Sequence, residues 1–332
     1  MNLKLIIRIG INTLIGAVLI YLWFKFVDVK EVFKAISGVS PLVVGVAFTA
    51  MVLSGLSKAV RLYILVSGEY KIPLLKIIYL NMLSQLLSFT IPIRAGEIAK
   101  GVYLSTEYKI PIAKSIVLIF LDRFLDFWMV IVLSFLLLFL IPTNLPANFT
   151  PVLAAAGIIF SAVVLSVVFL PEFFRKLVKF FSNFLVINVL KKFFVKFAEF
   201  VIESVQLLKG GVKRNSLLGL FTFLGILFEG FAWFSLLSFY IARVDFFKAL
   251  LGSMLNALTF LIPSAPGYVG SAEAAGLAVF TFGLGFDKLA VSASTVIMHA
   301  ISLLYILSTG IIGLYLLKFD LNLVWKKMLN RD

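Results

Sequence analysis

The chain has 332 residues, of which 62% are apolar and 15% aromatic, and its mean hydropathy is +1.10. One compact core cannot enclose that much apolar surface, so a soluble domain is excluded and a polytopic membrane protein is predicted. The formal net charge of +14 does not indicate a nucleic-acid partner, because the lysines and arginines lie beside apolar segments, as the cytoplasmic charge bias of membrane proteins requires.

Cysteine is absent and histidine occurs once, which excludes disulfides and thiolate metal sites and leaves no zinc-type cluster. The sequence has no His-Glu-x-x-His, no Gly-x-Ser-x-Gly and no P-loop motif. It also has no hydrophilic segment large enough to fold as a catalytic domain. We therefore expect no enzyme activity, no cofactor and no metal.

The chain begins with Lys4 and Arg8 ahead of an apolar run, and no small-residue cleavage site follows, so we interpret this run as a retained first span. A helix of about 20 residues crosses the hydrocarbon layer. Segments of that length predict six spans, near residues 7–27, 41–66, 115–141, 149–170, 216–241 and 291–317.

Two further apolar segments, 72–91 and 246–262, each end in a proline- and glycine-containing stretch that breaks the helical pattern. Aligning Pro92 with Pro263, an offset of 171, pairs several residues, including Gln85 with Asn256, Phe89 with Phe260 and Gly96 with Gly267. Interrupted segments at corresponding places in two halves indicate an internal repeat and a transporter site. Chance similarity between apolar runs is the alternative.

Charge sets the predicted topology. The connector 142–147 carries no charge and belongs outside, whereas 171–214 is rich in lysine and arginine and belongs inside. These assignments agree only if 72–104 is re-entrant from the cytoplasm and 246–284 is re-entrant from outside. The predicted fold is therefore all-α, with six transmembrane helices and two re-entrant helical hairpins in an inverted repeat.

The predicted first half is 1–145 and the second half is 146–332, each with three spans and one hairpin. Both termini are expected in the cytoplasm of a multi-pass cell-membrane protein. Within 171–214, phenylalanines recur every three or four residues with lysines between them. This pattern predicts an amphipathic segment on the inner membrane surface, attracted to anionic lipid; a partner-binding helix pair is the alternative.

Ionisable side chains at membrane depth are costly and face a cavity or a partner by default. Asp122 and Asp126 lie four residues apart on one helical face, with Arg123 adjacent. They either form a structural ion-pair cluster that orients the cations of the first hairpin, or border a headgroup path. We expect Lys58 and Arg61, near the inner end of the second span, to snorkel to the interface.

Arg94 lies at the first break, where its forked donors suit a phosphate, and Lys100 adds a point charge. A helix beginning near Gly96 would direct its free amide groups to the same place. Glu97 would weaken this attraction unless it pairs with Lys100. Arg94 is therefore predicted to be the main phosphate contact.

In the second half, Glu273 follows the other break, Glu229 lies near the middle of its span and His299 lies about two turns into the last span. Glutamate and histidine at depth suit a proton-coupled mechanism. The alternatives are that His299 is an interhelical hydrogen bonder and that Glu273 satisfies nearby backbone amides. Ser271 is expected to cap the short helix after the break.

Three motifs together resemble a known family. They are Arg94-Ala-Gly-Glu97-x-x-Lys100, Asp122-Arg123-x-x-Asp126 and Pro263-x-x-Pro266-Gly267-x-x-Gly270-x-x-Glu273. They resemble the membrane region of lysylphosphatidylglycerol synthases and its stand-alone flippase-like relatives, over nearly the whole chain. The resemblance implies lipid translocation between leaflets. Because no soluble synthase domain follows Asp332, aminoacyl transfer is not expected.

The sequence thus predicts a lipid translocase for a phosphate-bearing amphipathic lipid. The predicted partners are anionic or phosphate-bearing membrane lipids, and the sequence is compatible with a homo-oligomer. A secondary transporter of a small anionic solute and an accessory subunit of a lipid-modifying complex are the alternatives. The predicted substrate path comprises Arg94, Glu97, Lys100, Asp122, Arg123, Asp126, Glu229, Pro263, Gly267, Gly270, Glu273 and His299.

Overall fold

The structure is a computed structural model that describes residues 3–90, 95–144, 149–184, 187–259 and 265–318. Within these ranges every regular element is helical, as predicted. The α-helices are α1 (Leu3–Phe26), α2 (Val29–Ser37), α3 (Pro41–Ser67), α4 (Leu74–Thr90), α5 (Ala95–Tyr108), α6 (Ile112–Leu140), α7 (Phe149–Phe169), α8 (Pro171–Ser182), α9 (Asn188–Gln206), α10 (Val212–Tyr240), α11 (Phe246–Thr259), α12 (Ser271–Gly276) and α13 (Lys288–Leu317). Short 3₁₀ turns lie at Leu207–Lys209 and Pro266–Tyr268, and a π-helix lies at Leu277–Gly283.

Helices lie at all six predicted spans, namely α1, α3, α6, α7, α10 and α13. By length and composition α3, α10 and α13 are each able to cross a membrane, and Gly157–Phe169 forms with α8 one further candidate, bent by 114°. The protein is therefore membrane-embedded and multi-pass. The count of six spans stays a prediction.

The centre of the fold is the pair α3 and α10, the most extensive helix contact in the described ranges. The Ser54 hydroxyl donates to Glu229 at 3.2 Å, and the Arg61 guanidinium donates to Thr222 at 3.3 Å. As the residue number rises along α3, the residue number of its partner on α10 falls, so the two helices are antiparallel. Small buried residues allow close backbones; they include Ala47, Ala50 and Ala59 on α3 and Gly225 and Ala232 on α10.

Two large clusters of buried apolar side chains surround this pair. One joins α3, α4, α5, α6 and α9 through residues such as Leu62, Leu80, Leu104, Leu121 and Ile202. The other joins α3, α6, α10, α11 and α13 through residues such as Ala47, Leu138, Leu236, Leu251 and Val291. Because lipid tails are as apolar as leucine, close packing rather than escape from water stabilises such contacts in a membrane.

The two interrupted segments form compact helix pairs, α4 with α5 and α11 with α12 and the π-helix. A Cβ added at Gly96 would lie 1.9 Å from the Ser84 carbonyl oxygen, and one added at Gly252 would lie 2.2 Å from Cε1 of Phe280. Real Cβ atoms do not approach so closely. Glycine is therefore required at both positions for the paired helices to meet.

Each interrupted segment enters and leaves at the same end of the molecule. Glu69, ahead of α4, pairs with Lys114, in the first turn of α6, at 3.0 Å between Oε1 and Nζ. Lys248, in the first turn of α11, lies 5.1 Å from the ring centroid of Phe286, which follows the π-helix. The chain thus folds back on itself in both halves.

The helix bounds repeat with the offset predicted from the proline breaks. Adding 171 to the bounds of α3 gives 212–238, and α10 spans Val212–Tyr240; adding it to α4 gives 245–261, and α11 spans Phe246–Thr259. The packing corresponds as well, since α4 lies on α13 and α11 lies on α6. These correspondences support the internal repeat. Pro92 and Pro263 themselves lie outside the described residues.

The predicted amphipathic segment forms α8 and α9. One side faces the bundle, where the Phe200 ring lies 4.9 Å from that of Phe120 on α6. Arg175 joins α8 to α9 through Glu199, at 3.1 Å. The exposed side carries Phe173, Phe180, Phe181, Phe184, Phe193 and Phe197. This aromatic side is free to contact lipid, as the sequence pattern predicts.

Candidate functional site

Arg61 is the centre of a buried charge network in the C-terminal half of α3. Its Nε donates to Asp122 Oδ1 at 2.8 Å and its Nη2 donates to Asp126 Oδ2 at 2.9 Å, while Nη1 reaches the second oxygen of Asp126. The Arg61 side chain is 0% exposed. The prediction that Arg61 snorkels is therefore wrong, because two carboxylates on one face of α6 hold the guanidinium inside the bundle.

The first interrupted segment joins the same network through α5. Lys100 Nζ lies 3.7 Å from Glu97 Oε2, so the expected pair is present, and 4.0 Å from Asp122 Oδ2. Arg123 Nε lies 3.0 Å from Glu97 Oε1, and Nη1 lies 3.5 Å from Asp126 Oδ2. The helix that carries Glu97 and Lys100 begins at residue 95, close to the predicted start.

These six residues are called the inner cluster: Arg61, Glu97, Lys100, Asp122, Arg123 and Asp126. Three cations face three carboxylates, so the formal charges of the inner cluster cancel, which lowers the cost of burying them inside the bundle. Its geometry matches the structural interpretation of Asp122 and Asp126. Arg94, the predicted phosphate contact, lies outside the described residues.

A second ion pair crosses between α3 and α10. Lys58 Nζ lies 2.5 Å from Glu229 Oε1, and the same oxygen accepts from Ser54. The stem of Lys58 lies against Gly225, with 3.5 Å between Cγ and the place of an added Cβ. Lys58 therefore turns inward to α10, and the prediction that it snorkels is wrong.

After the second break the chain turns at two glycines, and the Glu273 carboxylate accepts a hydrogen bond from the backbone of this turn. Gly267 and Gly270 have φ of +71° and +81°, a region that favours glycine. The Gly270 amide donates to Glu273 Oε2 at 2.8 Å. Glu273 thus satisfies a backbone amide at the start of α12, as one alternative held. Ser271 does not cap this helix, because its hydroxyl donates back to the Tyr268 carbonyl at 2.9 Å.

His299 on α13 ties this break to the bundle. Its Nδ1 lies 2.6 Å from Glu273 Oε1, and its Nε2 lies 2.7 Å from the Gly267 carbonyl oxygen. A carbonyl accepts only, so Nε2 must carry a proton. One further proton must then lie between Nδ1 and the carboxylate. The Glu273–His299 pair is neutral whichever of its two partners holds that proton.

A cavity of about 450 Å³ opens inside the bundle, bordered by α3, α4, α6, α10, α11, α13 and the second break. Its wall mixes charged, polar and aromatic groups. Among the described residues these include Lys58, Asn81, Gln85, Phe89, Arg123, Glu229, Trp233, Asn256, Tyr268, His299 and Tyr305. The predicted repeat pair Gln85 and Asn256 thus lines one cavity.

The comparison with known families covers nearly the whole of this bundle. The sequence profile described as "Lysylphosphatidylglycerol synthase TM region" matches residues 7–310. The chain belongs to this family. The suspected resemblance is confirmed, and membership indicates a membrane protein related to lipid modification. No curated protein matches the chain.

In this family member the predicted site residues fall into three groups. Arg123, Glu229 and His299 line the cavity. Glu97, Lys100, Asp122 and Asp126 lie in the inner cluster, and Gly267, Gly270 and Glu273 form the turn that His299 holds. Pro263 lies outside the described residues.

The sequence interpretation missed Lys58 and Arg61 as site residues. Two carboxylates spaced four residues apart, Asp122 and Asp126, were the available signal, because they match the fork of one guanidinium. Tyr305 was missed as well, and its hydroxyl lies 1.9 Å from the place of a Cβ on Gly55. A tyrosine in an apolar span gives no sequence signal of that contact.

Proposed function

We propose that this protein is a lipid translocase of the cell membrane that moves a phosphate-bearing amphipathic lipid between leaflets. The observation that carries the proposal is the cavity between the two halves, in which Lys58 and Arg123 both face one space of about 450 Å³. Pockets of this size hold small ligands, so a headgroup fits while the acyl chains stay in lipid. Family membership supports lipid as the substrate class.

We further propose the architecture of six spans and two re-entrant hairpins in an inverted repeat. Three observations support it: α3 and α10 correspond by the 171-residue offset and run antiparallel, each interrupted segment returns to its starting end, and the cavity lies between the halves. Inverted repeats with substrate sites at the repeat interface are a recurring transporter design.

The architecture predicts which connectors face which side of the membrane. Because the chain lacks cysteine, single cysteines at Asn144 and Lys109, both exposed, report their sides without background. An impermeant maleimide should label Asn144→Cys in intact cells and Lys109→Cys only after permeabilisation. Labelling of both from the same side contradicts the proposed topology.

The function is tested with purified protein in phosphatidylcholine vesicles that contain a trace of phosphatidylglycerol labelled on an acyl chain. An impermeant reductant bleaches the outer leaflet, so translocation appears as loss of the protected inner-leaflet signal. We expect Lys58→Gln to slow this loss about tenfold, which corresponds to ~1.4 kcal/mol for a charge-assisted contact.

The matched control is Lys114→Gln, which also removes a lysine from a glutamate pair but at a site that does not line the cavity. It should translocate lipid at the parent rate. Absence of movement of this reporter and of acyl-labelled phosphatidylethanolamine in its place, with the parent protein at verified incorporation, contradicts the proposal. Efflux of a small anion from the same vesicles would then favour the secondary transporter.

A further inference from the structure

The Lys58–Glu229 pair differs from the other central ion pairs because both of its members line the cavity. Its side chains are 20% and 37% exposed, against 0% and 1% for Arg61 and Asp122. The two positions are 171 residues apart, so they correspond in the repeat. The pair therefore presents one cation and one anion to the cavity.

Both members of this pair have hydrogen-bonding capacity left over. Both hydrogen bonds to the Glu229 carboxylate, from Lys58 and Ser54, end on Oε1. Oε2 is thus without a hydrogen-bond donor among residues that the structure describes. An ammonium group has three donors, and Lys58 spends one of them on Glu229. By contrast, Asp126 engages Arg61 with both oxygens.

A purely anionic headgroup fits this arrangement poorly. It would compete with Glu229 for Lys58 and leave the carboxylate without its cation at membrane depth, which is costly. A headgroup that also carries an ammonium offsets this cost, because the ammonium can donate to the free Oε2. Its phosphate then takes the remaining donors of Lys58.

Arg123 adds a second donor for the phosphate. Its side chain is 35% exposed and borders the cavity, while its contacts with Glu97 and Asp126 hold it in place. A preorganised guanidinium suits a phosphate. The cavity thus offers two cations for a phosphate and one carboxylate for an ammonium.

Building on the proposed translocase function, we propose that the cavity selects a zwitterionic headgroup with a phosphate and a primary ammonium, of the phosphoethanolamine type. Lys58 and Arg123 bind the phosphate and Glu229 accepts from the ammonium. Glu229 is then the residue that separates this headgroup from an anionic one such as phosphoglycerol.

The test compares two acyl-labelled reporters, phosphatidylethanolamine and phosphatidylglycerol, each as a trace in phosphatidylcholine vesicles with purified protein. We expect the ethanolamine lipid to move about fivefold faster, which corresponds to ~1 kcal/mol for a partly exposed ion pair. Glu229→Gln should bring the two rates together, and Glu229→Asp should keep a preference for the ethanolamine lipid.

The outcomes separate this inference from the function on which it rests. If neither lipid moves, the translocase proposal fails. If both move and phosphatidylglycerol is as fast or faster, the selectivity inference is overturned and the translocase stands. A parent preference that Glu229→Gln leaves intact, in protein with the parent's elution profile and melting temperature, also overturns the inference, because the ammonium would then be bound elsewhere.

Discussion

The two interrupted segments break the chain in similar ways and are held by different chemistry. The first segment joins α3 and α6 through the inner cluster, in which Arg61 and Lys100 are completely buried. The polar link of the second segment to α13 is one histidine, which contacts Glu273 and the Gly267 carbonyl. The polar link is thus a charge network in the first segment and a single shared proton in the second, which also packs through apolar side chains.

This difference indicates which half can change its contacts. A guanidinium that binds two carboxylates at once cannot turn without breaking several charge-assisted bonds. The Glu273–His299 contact instead depends on one proton, and losing it would set the Nδ1 lone pair against a carboxylate oxygen. We therefore expect the second hairpin to respond to proton concentration and the first to stay fixed.

The largest expected effect is that of Arg61→Met, which leaves Asp122 and Asp126 without their forked partner in the bundle interior. Removing one member of a buried ion pair costs about 3–5 kcal/mol. The variant should give less monodisperse protein and melt at a clearly lower temperature in detergent, as followed by size exclusion after heating.

The double variant Arg61→Met with Asp126→Leu sharpens this prediction, because it removes both charges of the bidentate pair. It should recover part of the lost melting temperature. If the Arg61→Met protein has the same melting temperature as the parent, the inner cluster does not hold the first interrupted segment in place.

A smaller effect is expected for Glu273→Gln, which keeps an oxygen to accept from the Gly270 amide but removes the charge and the shared proton. In the parent protein the Glu273–His299 contact weakens as pH rises and the shared proton is lost. Lipid translocation by the parent protein should therefore depend on pH. The variant should translocate with a flatter pH profile, measured in the vesicle assay between about pH 5 and 8.

Translocation by Glu273→Gln with the parent's pH dependence would leave Glu273 a purely structural residue. The melting temperature of the variant serves as the control. Because one neutral hydrogen bond replaces a charged one, a loss of about 1 kcal/mol is expected.

The smallest effect is expected for Lys114→Ala. Its pair with Glu69 has side-chain exposures of 29% and 54%, and such exposed pairs contribute only about 0–1 kcal/mol. The melting temperature should stay close to the parent value. A loss as large as that of Arg61→Met would mean that the ends of the hairpin, and not the inner cluster, hold it in place.

The helices and both interruptions could be predicted from the sequence, because length, apolar composition and proline breaks are local properties. The amphipathic helices α8 and α9 were predicted for the same reason, from the spacing of phenylalanine and lysine. The pairing of Glu97 with Lys100 could also be predicted, since the two residues lie three apart on one helix.

The rest of the site depends on contacts between distant parts of the chain. Arg61 meets Asp122 and Asp126 across 61 and 65 residues, and Lys58 meets Glu229 across 171. No local pattern encodes these partners, and a lysine or arginine near a helix end snorkels equally well in principle. The bond from His299 to a backbone carbonyl has no side-chain signature at all.

The central claim is that a lipid headgroup binds in the cavity between the two halves. The most direct test is an experimental structure of the protein in nanodiscs that contain phosphatidylethanolamine and phosphatidylglycerol, at a resolution that separates a phosphate from water. The account predicts headgroup density within hydrogen-bond distance of Lys58 and Arg123, with acyl chains leading out to the bilayer. Lipid density confined to the outer surface of the helices, with only water between Lys58 and His299, would contradict it.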